Sequence, residues 1–120
     1  MKFLLLIYMN PTAWESLTQE ERDAVLTGHA DYQKMLTETG EMVVTHALGE
    51  PEKSSVVRVR DGMLSETDGP YVESKEYMAG YYLIECADQA RANQIAGMMP
   101  DAKFNAVEVR PIVFSSGPGA

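Results

Sequence analysis

Cysteine is nearly absent from this chain of 120 residues. The single Cys86 excludes an internal disulfide and any multi-cysteine metal centre. Its place near the end of an apolar stretch predicts a buried, unreactive thiol. Histidine is scarce too. His29 and His46, with scattered carboxylates, show none of the spacings that hold zinc, so no metal is expected. Positive charge is in short supply: ten Lys and Arg face eighteen Asp and Glu, for a net charge of −8. With no basic cluster, nucleic acid and anionic membrane surfaces are not expected partners. There is no glycine-rich phosphate loop and no dinucleotide fingerprint, and no cofactor is expected. No apolar run approaches the length of a membrane span. The first apolar run, Phe3–Ile7, follows Lys2 as a leader peptide would. It is short for that role, however, and Tyr8, Asn10 and Pro11 interrupt it without a small-residue cleavage site. A first strand buried on both faces is the better reading, in a cytoplasmic protein.

What is present suits one compact α+β domain over residues 1–114, with residues 115–120 as a flexible tail. Hydrophobic residues make up 45% of the chain, enough for a single core. Asn10–Leu17 reads as a connection in which Trp14 covers a core edge. Thr18-Gln19-Glu20-Glu21 has the form of a capping box, and its acidic first turn suits the helix dipole. The helix it starts runs to about Thr39, where Gly40 stops it. Its inner stripe is Val25, His29, Tyr32 and Leu36. A stripe that is apolar at its ends and polar in its middle suits the wall of a pocket.

Strands are expected at Glu41–Gly49, Ser55–Arg60, Met63–Thr67, Met78–Cys86 and Asn105–Phe114. Asp61-Gly62 is a hairpin turn signal joining the second and third of these. Val57 and Val59 alternate with Arg58 and Arg60, as in a half-exposed strand. Gly80 sits inside a strand, where a missing side chain marks close approach of another group. Asp88 caps a second helix with the stripe Ala92, Ile95, Ala96 and Met99, ended by Pro100. Pro111 removes an amide donor and places the last strand at a sheet edge or a bulge. Without the hairpin the order is βαββαβ, a ferredoxin-like arrangement. Two helices on one sheet face leave the other bare, which predicts a homodimer packed sheet to sheet.

The polar block Thr67–Glu76 is the strongest local signal. Asp68-Gly69-Pro70 cannot continue a helix, so three carboxylates, a lysine and a tyrosine are gathered on a loop beside a strand. Thr67-Asp68-Gly69-Pro70-Tyr71, then Glu73, Lys75-Glu76 and Gly80-Tyr81-Tyr82, and the closing Glu108-Val109-Arg110-Pro111, resemble the YCII-related proteins and within them the DGPF-domain group. Tyr71 stands where that group usually has Phe. The resemblance covers nearly the whole chain and implies a dimeric α+β barrel of ferredoxin-like subunits. It also implies a helix histidine and an aspartate as a catalytic pair, which by position are His29 and Asp68. Members of the group are often found beside extracytoplasmic-function sigma factors.

Two kinds of function follow. In an enzyme acting on a small organic molecule, His29 is the acid or base and Asp68 orients it. Arg58 or Arg110 holds an anionic group, and Tyr71, Glu76 and Tyr82 complete the substrate site. In a non-catalytic module the same dimer holds a small ligand, with a regulatory link to a transcription system. For Asp68 the structural alternative is an Asx-type turn that only shapes the loop. His46, near a strand end, is expected to be exposed.

Overall fold

The computed structural model describes residues 1–120. It is an α+β structure built on a four-stranded antiparallel sheet and three α-helices. The strands are β1 (Lys2–Met9), β2 (Met42–Ala47), β3 (Ser55–Arg60), β4 (Met63–Asp68), β5 (Tyr77–Glu85) and β6 (Val107–Pro111). The helices are α1 (Pro11–Glu15), α2 (Gln19–Glu38) and α3 (Gln89–Met98). The main sheet has the order β2-β5-β1-β6, with β1 in register against both β5 and β6.

The local signals act as their chemistry dictates. Thr18 Oγ1 accepts from the Glu21 amide while Glu21 accepts from the Thr18 amide, which starts α2. Asp88 accepts from the Arg91 amide and starts α3. Asp61 and Gly62 both take positive φ, 52° and 75°, as a two-residue turn matched to strand twist requires. The connection expected at Asn10–Leu17 holds the short helix α1, because the Asn10 side chain accepts from the amides of Thr12 and Ala13 and Pro11 suits its first turn. Trp14 packs on Phe104, ring centroids 5.8 Å apart.

The core lies between the main sheet and the α2–α3 layer. Phe3, Leu5, Tyr82 and Ile84 point from the sheet into Tyr32 and Leu36 of α2 and Ala92, Ile95 and Ala96 of α3. The alanines bring α3 close to the sheet. Cys86 is buried in the same cluster, and burial pushes its thiol pKa up, in keeping with an inert side chain. Gly80 is where the backbone of β2 comes nearest: a Cβ there would lie 2.7 Å from the His46 carbonyl oxygen. β6 is an outer strand that ends at Pro111, five residues long where Asn105–Phe114 was expected. Asn105 turns away to hold the Tyr8 carbonyl oxygen with its side chain.

The hairpin β3–β4 forms a sheet of its own, and none of its residues is buried. Arg58 is half-buried while Val57 and Val59 are exposed, the reverse of the outward-arginine pattern. Arg58 turns inward because its guanidinium sits 5.5 Å from the centroid of the Tyr71 ring. The opposite face of the main sheet carries no helix. Strand alternation places Leu4, Leu6 and Tyr8 there, with Tyr81, Leu83, Glu108 and Arg110 beside them.

Candidate functional site

The sheet separates two polar centres. The first is held between α2, β5 and the turn after α3. His29 and Gln33 are one helical turn apart on α2 and share a face. Beneath them Tyr82 rises from β5, 1% exposed. His29 Nδ1 lies 2.8 Å from the Tyr82 hydroxyl, and Gln33 Nε2 donates to that hydroxyl at 3.1 Å. His29 Nε2 lies 2.5 Å from Oδ1 of Asp101, a carboxylate only 6% exposed in the 3-10 turn Pro100–Lys103. The His29 and Tyr82 rings stack at 5.9 Å, and Tyr32 meets Tyr82 edge-on at 5.2 Å.

These contacts accommodate the following arrangement of donors and acceptors. Gln33 donates to the Tyr82 oxygen, Tyr82 donates to His29 Nδ1, and the Nε2–H of His29 donates to Asp101. Burial raises the pKa of Tyr82 and that of Tyr32, so both phenols stay protonated at neutral pH. Tyr32 donates to the Ile95 carbonyl at 2.7 Å. The four side chains Gln33, Tyr82, His29 and Asp101 form one connected hydrogen-bond chain. Its histidine presents no free ring nitrogen, because protein groups occupy both.

His29 therefore pairs with Asp101, where the expectation was Asp68. Asp68 ends β4 opposite Ser55 and is exposed. It sits at the root of the hairpin, next to Gly69, whose amide donates to the Ser54 carbonyl, while both ring nitrogens of His29 are taken by Tyr82 and Asp101. Asp101 was not legible as the partner, since 72 positions separate it from His29. The sequence did carry two partial signals: Gln33 at one turn from His29, and an aspartate directly after the helix-ending Pro100.

The second centre lies at the end of the helix-free face. A cavity of about 770 Å³ opens between the loop after β2 and the loop before β5. Tyr8, Leu48, Glu50, Tyr71, Glu76 and Tyr77 are among its walls. Tyr71 and Glu76, expected in a substrate site with His29 and Asp68, line this cavity without either of them. Arg58 lies behind the wall, against Tyr71. Arg110 reaches it through a relay, donating to Glu108, which accepts from the Tyr8 hydroxyl at 2.9 Å. Hydrogen bonding to Arg110 lowers the Glu108 pKa, and hydrogen bonding to Glu108 raises that of Tyr8. Of the two arginines expected to grip an anion, Arg110 is held by Glu108, whereas Arg58 meets only the face of Tyr71. Tyr82 belongs to the first centre and does not reach this cavity. On the same open face His46, exposed as expected, shares a 2.8 Å hydrogen bond with Tyr81.

No three His, Cys, Asp or Glu side chains gather as metal ligands would. No helix is long and apolar enough to cross a membrane.

Comparison with known proteins agrees with the polar block. The YCII-related domain model matches residues 1–115, so the chain belongs to the YCII-related family. It is similar to uncharacterized protein R00369 of Rhizobium meliloti (strain 1021), with 27% identity over 114 residues covering 93% of this chain and 92% of that one.

Proposed function

We propose that this protein is a small-molecule-binding module, a homodimer of ferredoxin-like subunits whose ligand occupies the cavity walled by Tyr8, Tyr71 and Tyr77. The observation that carries the reading is the contrast between the two centres. His29 has both nitrogens engaged and leans on a phenol 1% exposed, whereas the tyrosine-walled cavity is open and of a size that suits a small organic ligand. The sheet order β2-β5-β1-β6, with the hairpin set aside, is that of the split βαβ arrangement and supports the ferredoxin-like assignment. The bare sheet face supports the dimer.

The enzymatic reading keeps one observation in its favour. A buried carboxylate orients His29 as the third member of a triad orients its base. In that reading a ligand displaces the Tyr82 hydroxyl from Nδ1 and the freed nitrogen takes up a proton. Protein-detected NMR with a mixed set of millimolar aromatic acids, amines and alcohols separates the two. Binding predicts saturable shifts at Tyr8, Tyr71 and Tyr77 that survive His29→Ala with unchanged affinity. Shifts centred on His29 and Tyr82, abolished in His29→Ala, would favour the enzyme.

A further inference from the structure

Hydrogen-bond donors and acceptors are unevenly placed in the walls of the tyrosine cavity. A hydroxyl donates once and has lone pairs left to accept with. Two wall hydroxyls have already donated to the protein. Tyr8 donates to Glu108 at 2.9 Å, and that bond is the largest cause of its raised pKa, so the hydrogen stays there at neutral pH. Ser54 donates its hydroxyl hydrogen to the Pro51 carbonyl. Toward a ligand, both oxygens can therefore only accept.

Two carboxylates, Glu50 and Glu76, stand in the same walls and also only accept. The ion pairs of the chain are His29–Asp101, Arg91–Glu41 and Arg110–Glu108, so neither of these carboxylates is paired. Glu50 precedes the 3-10 turn Pro51–Lys53 without making a capping bond. The one side chain in the walls that can only donate is Lys53. The hydroxyls of Tyr71, Tyr77 and Ser74 turn to suit either role.

The rings add a second preference. Tyr8, Tyr71 and Tyr77 put three phenols around one cavity. The face of such a ring attracts a cation within about 6 Å of its centroid. Tyr71 already does so, with the Arg58 guanidinium at 5.5 Å. Arg58 and Lys53 oppose a cationic ligand, but Arg58 is not among the walls, and there two carboxylates outnumber Lys53. The net charge of −8 adds a field that draws cations to the whole chain.

We infer that the cavity takes a small organic cation with N–H donors, a protonated amine or a guanidine on an apolar body. The inference rests on the cavity reading above and gives that ligand its chemical class. Glu50 and Glu76 neutralise the charge, the Tyr8 and Ser54 oxygens accept from the N–H groups, and Leu48, Val72 and Met78 receive the apolar body. An anion of the same shape meets only one fixed donor, Lys53, and is repelled by both carboxylates.

Protein-detected NMR titrations with phenylpropylamine, phenylpropanol and phenylpropionate test the class, because the three share one skeleton and differ in charge. At neutral pH the amine should bind about 10-fold more tightly than the alcohol, and the carboxylate more weakly than either, with shifts at Tyr8, Tyr71 and Tyr77. Glu50 and Glu76 are exposed, so the fold survives their replacement. A Glu50→Gln, Glu76→Gln variant should lose about 10-fold in amine affinity and keep its alcohol affinity within about twofold. The trimethylated amine, which keeps the charge and has no N–H, should bind more weakly than its parent. An amine no tighter than the alcohol, or one untouched by the double substitution, would overturn the cation and leave the cavity standing as a binding site. A trimethylated amine as tight as its parent would overturn the role of the Tyr8 and Ser54 oxygens. No shift at the three tyrosines with any of these compounds would overturn the cavity reading and the cation together.

Discussion

Replacing Tyr82 with Phe removes one oxygen from the middle of the His29 chain and leaves the ring packing in place. The oxygen takes part in two hydrogen bonds, to His29 at 2.8 Å and from Gln33 at 3.1 Å. Each is worth about 1 kcal/mol net, and a buried partner left unsatisfied costs more. His29 keeps partial access to solvent, its side chain 21% exposed, so some of the loss is recovered. The expected destabilisation is about 2 kcal/mol. Unfolding entropy near the midpoint is about 0.25 kcal/mol per degree for a chain of this size, so Tm should fall by about 8 °C. The comparison is made by calorimetry at one fixed protein concentration, because a dimer's Tm depends on it. Gln33→Met should be destabilising by itself, and combined with Tyr82→Phe it should cost less than the sum, since both remove the same bond. A fall of less than about 2 °C, or strict additivity, would refute the connected chain.

Two further outcomes follow from the packing. Gly80→Ala forces a Cβ to 2.7 Å from the His46 carbonyl oxygen, so β2 must shift. Overpacking of this kind costs about 1–3 kcal/mol, and chemical denaturation should show it as a lower midpoint with an unchanged slope. Glu41 has a lowered pKa, chiefly because Arg91 donates to both its oxygens, at 2.8 and 2.9 Å. A carboxyl whose folded pKa is depressed adds stability above its unfolded pKa and loses it as pH falls through the folded one. The gap in Tm between the wild type and Arg91→Gln should therefore be widest above about pH 5 and close as the pH drops below about 4. A gap constant over that range would show that the pair contributes nothing through its charge.

Local chemistry was legible where a residue acts on its near neighbours. The capping box at Thr18, the cap at Asp88, the turn at Asp61-Gly62 and the close approach at Gly80 each depend on a few adjacent groups, and each is found as read. The stripe Val25, His29, Tyr32 and Leu36 also faced inward as its spacing required, with Tyr32 and Leu36 buried. The pairing of His29 was not legible, because it depends on where a turn 72 positions away settles after α3 has packed. Asp68 drew attention through its turn chemistry, which fixes the root of the hairpin but not which distant side chain comes to meet it. Val57 and Val59 misled for a related reason. Alternation shows that a strand has two faces, but only the placement of Tyr71 decides which of them turns inward.

The most direct test of the binding reading is a crystal structure of the protein soaked with the tightest-binding fragment from the NMR set. The account predicts density in the cavity among Tyr8, Tyr71 and Tyr77, with the His29–Tyr82 and His29–Asp101 hydrogen bonds unchanged at 2.8 and 2.5 Å. Density within hydrogen-bond reach of His29 Nδ1, with the Tyr82 hydroxyl displaced, would contradict it.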